Sequence, residues 1–307
     1  MNRNYLGIEI GGTKLQFVLG SDSGILQRWR YSVDRTEGGV GIRRQIESAL
    51  REILSPFPLH GIGVGFGGPV DWRTGLICCS HQIEGWSNFG LGQWLQSLTQ
   101  LPVRVDNDAD VGALGEALHG AGRGFDPVFY VTLGSGVGGG LVADGHIYHG
   151  AKPGESEIGH VRLDRQGTIV ESRCSGWAVD ARIRALIESE PASLLGRLAN
   201  GTRGGEARHL SAALAQDDPA AKRILEETTE DLAFGLSHVA HLFHPEAIVL
   251  GGGLSLVGEP LRRAVAEAFQ GFVMEAFAPG PKVALAALGE DAVPVGALAL
   301  AQQCLCA

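Results

Sequence analysis

Apolar residues along this chain fall into short unbroken runs punctuated by glycine in some stretches, and into helical spacing in others. Tyr5–Leu26 (YLGIEIGGTKLQFVLGSDSGIL) reads as strand, Gly-rich turn, strand, polar turn, strand, because each apolar run has strand length and ends at a Gly or Ser-Gly turn. Val128–Gly150 (VFYVTLGSGVGGGLVADGHIYHG) repeats that plan. Between them, Ile42, Ile46, Leu50 and Ile53 recur at helical spacing and predict a helix over Ile42–Leu54. Gly61–Phe66 reads as a short strand entering a Gly-Gly-Pro turn. Leu91–Leu98 reads as a helix, Val103–Val105 as a strand and Ala109–Leu118 as a helix. Further on, helices are expected at Trp177–Ser189, Leu210–Ala215 and Ala220–Phe243. A buried-strand pattern at Ala247–Leu250 runs into Gly251–Gly253, followed by a helix at Pro260–Phe269 and a last one in the C-terminal run PVGALALAQQCLCA.

Strands alternating with helices predict an α/β fold, and the repeated hairpin predicts two related halves. A chain of 307 residues is long for one compact core and suits two domains. No Pro- or Ser-rich linker separates them. The expected division is therefore a smaller domain of residues 1–117 plus 291–307, closed by the returning C-terminal helix, and a larger one of residues 118–290.

Composition narrows the function classes. Glycine is abundant, 46 residues, and clustered, which marks backbone that turns sharply or approaches a ligand closely. A net charge of −9 argues against nucleic acid or an acidic membrane as a partner. Cys78, Cys79, Cys174, Cys304 and Cys306 form no C-x-x-C pair, so no disulfide framework is expected. The N-terminus lacks a signal-peptide apolar region, and no stretch approaches the ~18 apolar residues of a membrane helix. The expectation is a soluble, cytoplasmic protein.

Two nucleotide motifs almost match and fail. Gly134-Ser-Gly136-Val-Gly-Gly139 satisfies G-x-G-x-x-G, but a strand follows where a dinucleotide-binding unit needs a helix. Gly7-Ile-Glu-Ile-Gly-Gly12-Thr13-Lys14 has Thr-Lys where a P-loop needs Lys-Ser/Thr, and again a strand follows. What remains is a pair of hairpin turns with exposed backbone N–H groups, able to hold phosphate oxygens as anion nests, and a third Gly cluster at Gly251–Gly253. The bland alternative is that all three are simply tight turns.

The segments IEIGGTK (8–14), DNDAD (106–110), TLGSGVGGG (132–140), ESEIGH (155–160) and IVLGGGLS (248–255) resemble, in order and spacing, the signatures of the ROK family of bacterial sugar kinases and sugar-responsive repressors. That resemblance implies an α/β, two-domain actin-like ATPase (ribonuclease H-like) fold, with nucleotide and sugar bound in the cleft between the domains. It implies that Gly11, Gly12, Thr13 and Lys14 form a first phosphate loop, that Thr132, Gly134, Ser135 and Gly136 form a second, and that Gly251, Gly252 and Gly253 lie near the adenosine. ATP and Mg²⁺ are the implied cofactors, with Glu9 near the metal through water. The family usually carries Asp there, so Glu9 is a departure that keeps the charge on a longer arm.

Phosphoryl transfer to a hydroxyl needs a group to accept the proton, and a carboxylate suits the task. Asp108, at the corner between the strand Val103–Val105 and the following helix, is the candidate and matches the family's catalytic Asp. An Asp at such a corner could equally be only a helix N-cap. Gly68, Asn107, Asp108, Glu157, His160 and Glu171 match the family's sugar-contact positions, although His160 alone would pass for a solvated loop histidine. Many ROK proteins place a cysteine-rich zinc module after the Gly-His pair. Here that interval is VRLDRQGTIV, without cysteine, and Cys174 falls after Glu171, so no zinc is expected. Gln82 stands where Asn is commoner.

The reading that follows is ATP-dependent phosphorylation of a hexose at its 6-hydroxyl. Glucose is favoured, because Asn107 beside Asp108 resembles glucose and N-acylhexosamine kinases; fructose, mannose, N-acetylglucosamine and N-acetylmannosamine stay open. A regulator would need a DNA-reading helix and a basic patch, whereas only about ten residues precede Gly11. A non-catalytic sugar-binding protein is the remaining alternative. A homodimer is expected by resemblance alone.

Overall fold

The computed structural model describes residues 3–21, 24–54, 58–80, 83–154 and 156–304. Gln82, Glu155 and Cys306, singled out above, lie outside the described residues. The chain divides into two compact units. The first comprises Met1–Arg123, Gly140–Ser156 and Glu290–Ala307; the second comprises Gly124–Gly139 and Glu157–Gly289.

The chain opens as a meander of β1 (Asn4–Ile10), β2 (Lys14–Ser21) and β3 (Gly24–Ser32), each antiparallel to the one before. The third strand runs to Ser32, six residues past the expected end. Its sequence, GILQRWRYS, is too polar to read as a strand because it is an edge with most side chains in water. Helix α1 (Gly38–Ile53) buries Ile42, Ile46, Ala49, Leu50 and Ile53, the stripe that its periodicity predicts. It begins four residues before the expected Ile42, because the run Gly38–Gly41 reads as a turn. Those glycines are tolerated in the helix where the backbone of Glu84 and Gly85 packs against it, with the Gly39 N–H donating to the Glu84 carbonyl.

Strand β4 (Leu59–Phe66) follows and lies parallel to β1. A small antiparallel sheet of β5 (Val70–Asp71), β6 (Leu76–Ile77) and β7 (Phe89–Gly90) leads into α2 (Leu91–Thr99). Strand β8 (Val103–Asn107) pairs parallel with β4 and passes directly into α3 (Asp108–His119). The sheet order is β3-β2-β1-β4-β8. One face carries α1 over Leu6, Ile8, Leu15, Phe17, Ile62 and Val64. Burying each such side chain is worth roughly 1.5–3 kcal/mol, so this layer is the main stabilising term of the unit.

The second repeat of the meander is β9 (Val128–Leu133), β10 (Val137–Ala143) and β11 (His146–Ile147). The short helices α4 (Val170–Cys174), α5 (Gly176–Ser189), α6 (Leu194–Ala199) and α7 (Leu210–Leu214) precede the 25-residue α8 (Pro219–Phe243). Helices α4 and α6 were not expected, since neither is long enough to show a full apolar stripe. Pro219 opens α8, and His244, at φ 49°, closes it as a left-handed cap. Strand β12 (Ala247–Gly251) is buried throughout and runs parallel to β9 and to β13 (Lys282–Leu285), with α9 (Glu259–Gln270) between them in sequence. This sheet has the order β11-β10-β9-β12-β13, the same plan as the first, so the repeated hairpin in the sequence marks a repeated fold unit.

Helix α10 (Ala292–Gln303) belongs to the first unit and packs on β1, β4 and α3. Small residues make that approach possible: a side chain at Gly63 or Gly296 would run into the backbone of Ala297 or Val111. No helix among the described residues is long and apolar enough to cross a membrane.

Candidate active site

In the first unit, the β1–β2 turn closes through the Gly11 N–H donating to the Lys14 carbonyl at 2.9 Å. Val33 donates to the Thr13 carbonyl, and the Arg35 guanidinium donates to the Gly12 carbonyl at 2.6 Å, so the outer side of the turn is fixed from β3 and beyond. Glu9 and Lys14 flank the turn and pair at 3.0 Å. The other Glu9 oxygen accepts from the side chain of Gln16, which in turn accepts from Arg30 at 3.1 Å.

The β4 strand ends at Gly67 and Gly68. Gly67 donates to the Ile10 carbonyl at 2.9 Å, tying the end of β4 to the end of β1. It also leaves room for an Asp108 carboxylate oxygen, which lies 3.4 Å from where a Cβ would stand. Asn107, not Asp108, caps α3. Its side-chain oxygen accepts from Ala109 N–H at 2.8 Å and Asp110 N–H at 3.4 Å, while its amide donates to the Gly68 carbonyl at 3.1 Å. Both ends of the Asn107 side chain are therefore engaged. An N-cap of this kind contributes about 1 kcal/mol, and because Asn107 performs it the Asp108 carboxylate is left free of that task.

Asp108 is half-buried at the first position of the helix. Loss of water around its carboxyl, and then the negative charge of Glu9, push its pKa up to about 7; the Ala109 and Asp108 backbone N–H groups and Lys14 pull weakly the other way. Near neutrality such a group passes readily between acid and base.

In the second unit, the β9–β10 turn closes with Gly134 N–H donating to the Gly136 carbonyl at 2.9 Å. Gly176 N–H, at the start of α5, donates to the Gly134 carbonyl at 2.7 Å. Thr132 lies two residues before the turn on β9. Glu171, on α4, accepts from Val137 N–H at 2.9 Å, and its carboxylate fills the space where a Gly136 side chain would stand. Glu171 thus braces the turn from behind. Glu157 and His160 flank a single helical turn, Ile158–His160, that packs on Val137 and Glu171 through Gly159. Both side chains are exposed and make no hydrogen bond among the described residues.

The cysteine-free interval after His160 closes as a hairpin. Val170 N–H donates to the Val161 carbonyl, Leu163 N–H to the Thr168 carbonyl, and one Asp164 oxygen accepts from the N–H groups of Gln166, Gly167 and Thr168. A bond from the Thr168 hydroxyl, and then these backbone bonds, hold the Asp164 carboxyl below its ordinary pKa. Cys174 is buried with its thiol pushed up to about 12, the state of an inert core residue.

A cavity of about 480 Å³ in the second unit gathers Gly134, Ser135, Gly176 and Gly253, with Trp177, Arg208 and Leu256 at its wall. Gly252, at φ 78°, turns the chain between β12 and the helical turn Gly253–Val257. Sequence reading missed Trp177 and Leu256, which are 69% and 82% exposed despite their apolar size. Trp177 carried a signal, since it falls off the Val179–Ile183–Leu186 stripe of its own helix. Arg208 had none: it reaches the wall by donating to the carbonyls of Gly204 and Gly205 in a loop pinned by Asp180.

Comparison with known proteins adds a pattern to this geometry. The family model described as "ROK family" matches residues 5–304. The glucokinase of Halalkalibacterium halodurans is 33% identical over 311 residues, spanning 96% of this chain and 94% of that protein. The glucokinase of Thermotoga maritima is 30% identical over 307 residues, 97% of each. A ROK family glucokinase from Streptomyces griseus, solved in complex with glucose and AMPPNP, is 30% identical, with a TM-score of 0.83 over 98% of this chain and 99% of that one.

Proposed function

The chain belongs to the ROK family, and on that premise we propose that it transfers the γ-phosphoryl group of ATP to the 6-hydroxyl of glucose. The observation that carries this reading is the Asp108 carboxyl, set near pKa 7 by burial beside the Gly67–Gly68 turn, in a chain similar to glucokinases over almost its full length.

In this reading the carboxylate of Asp108 accepts the hydroxyl proton as the sugar oxygen bonds to phosphorus and the bond to the β-phosphate oxygen breaks, leaving ADP. The backbone donors of the Gly11–Lys14 and Gly134–Gly136 turns hold phosphate oxygens, and the Lys14 ammonium supplies the nearby positive charge. The cavity walled by Trp177 and Leu256 takes the adenine. Thr132 and Gly251, paired across β9 and β12, stand at the strand ends beside the Gly134–Gly136 turn, with Gly252 against the Leu133 backbone. The exposed side chains of Glu157 and His160, which make no hydrogen bond among the described residues, offer acceptors and a donor for sugar hydroxyls; Glu171 and Asn107 act through the backbone they hold, and Gly68 through its carbonyl.

Glu9 fits a hydrated magnesium ion. Its carboxylate oxygens are hard donors, but Lys14 and Gln16 already engage both, which suits contact through the waters that Mg²⁺ retains. When bound, the ion neutralises phosphate charge.

The test is an ADP-release assay with Mg-ATP over glucose, mannose, fructose, N-acetylglucosamine and N-acetylmannosamine. Glucose giving the highest kcat/KM supports the proposal. Turnover confined to another sugar moves the substrate, and turnover on none refutes the kinase reading.

A further inference from the structure

Asp106 immediately precedes the Asn107–Asp108 pair and is one of the few buried carboxylates in the first unit. Successive residues of a strand face opposite sides, so Asp106 projects from β8 away from Asn107. One of its oxygens accepts the Asn107 backbone N–H at 3.1 Å. The other lies 2.7 Å from His149 Nε2, a partner 43 residues along the chain. The side chains of Asp106 and His149 are 6% and 15% exposed, so water does little to weaken this bond.

The His149 ring is itself held. It stacks on Trp72 at 4.2 Å between centroids and 14° between planes, and the Arg73 guanidinium lies 5.0 Å from the Trp72 ring. Gly154, at φ 91°, passes so close that a Cβ would stand 3.0 Å from Trp72 and 3.2 Å from the His149 Cβ. Next to this stack, Lys152 pairs with the buried Asp71. The stretches 71–73 and 149–154 thus pack together behind the His149 ring that meets this carboxylate, and the carboxylate holds the peptide N–H of the residue before Asp108.

We propose that Asp106 and His149, backed by Trp72, are positioning residues for phosphoryl transfer, fixing the Asn107 peptide from which the α3 cap and the Asp108 carboxylate both project. The proposal rests on the reading of Asp108 as the base. Asp106 alone, buried and half-satisfied, would be free to turn toward water. With His149 donating, its second oxygen stays on Asn107 N–H. Small displacements of a catalytic group are costly, about 10²-fold for 1 Å, so loss of this bond shows in turnover more than in sugar affinity.

The pair lines a cavity of about 540 Å³, so the ring can be exchanged without opening the core. His149→Phe keeps the stack on Trp72 and removes the donor. His149→Gln keeps a donor near the Nε2 position and removes the ring. The experiment measures kcat, KM for glucose and melting temperature for both variants, with Asp108→Asn in the same assay. The expected result is kcat down about 10-fold or more in His149→Phe, little change in KM and melting temperature, and partial recovery in His149→Gln. His149→Phe within twofold of wild type overturns the proposal, as does an equal loss in both variants accompanied by a lower melting temperature, which is what ring packing alone would give. If Asp108→Asn collapses while His149→Phe does not, only the positioning role fails. If Asp108→Asn keeps wild-type turnover, the reading of the base fails and the positioning role falls with it.

Discussion

The Gly11–Thr13 and Gly134–Gly136 turns occupy the same place in two sheets of the same plan, yet they are anchored by different means. The first lies between two charged side chains, Glu9 and Lys14, which pair at 3.0 Å. The second carries no charged side chain of its own. It is fixed by backbone, with Gly176 N–H on the Gly134 carbonyl at 2.7 Å, and by Glu171 pressed behind Gly136 and Val137. Two hairpins of one plan are thus held differently: the first beside a charged pair, the second by backbone bonds and a carboxylate reaching it from α4. Substitutions should act accordingly, through lost charge in the first turn and through added bulk in the second.

The largest contrast is expected at Lys14. Lys14→Ala removes the cation beside Glu9, and kcat for glucose should fall about 10²-fold, the cost of removing one preorganised charged donor; steady-state kinetics at saturating Mg-ATP measures it. Gly136→Ala should raise the KM for ATP about tenfold, since the methyl group pushes Glu171 off Val137 N–H and leaves that buried donor unpaired, a cost of about 1–3 kcal/mol. Ser135→Ala, which leaves the backbone donors in place, should change the same KM by less than threefold. If Ser135→Ala proves worse than Gly136→Ala, the backbone account of the second turn fails.

A smaller effect separates the charges of the first unit. In the proposed mechanism the carboxylate form of Asp108 accepts the proton, so kcat/KM for glucose should rise with pH through about 7. Glu9 disfavours that charge. Glu9→Gln should therefore move the rising limb to lower pH, and a profile from pH 5 to 9 shows the direction.

The smallest effect is on stability. The folded-state pKa of Asp108 is raised above its ordinary value of 3.8 to about 7. Its contribution to stability is therefore full below about pH 4 and is lost as pH rises through about 7. Asp108→Asn should melt a few degrees higher relative to wild type at pH 8 than at pH 5, on the order of 2–4 °C for each kcal/mol. Calorimetry at the two pH values decides it.

The two turns also show how far the sequence could be read. Both hairpins, their glycines and the strand-to-helix corner at Asp108 were legible, because local turn chemistry and apolar runs specify them. The helix cap was assigned less well: Asp108 and Asn107 are both good caps, and only the hydrogen bonds from Ala109 and Asp110 show that Asn107 does it. Glu171 is expected at a sugar-contact position by resemblance, and nothing local showed that it would also accept from Val137 N–H, 34 residues away. Asp106 and His149 lie 43 residues apart, and neither segment by itself shows that the two pair. Local pattern reports which backbone turns; it does not report which carboxylate reaches it from elsewhere in the chain.

The most direct test of the central claim, that Asp108 takes the proton of a glucose hydroxyl, compares Asp108→Asn with wild type in Mg-ATP turnover and in calorimetric glucose binding. The account predicts kcat lower by about 10²–10⁴-fold with glucose affinity within a few-fold of wild type. Turnover within tenfold of wild type, at unchanged affinity, would contradict it.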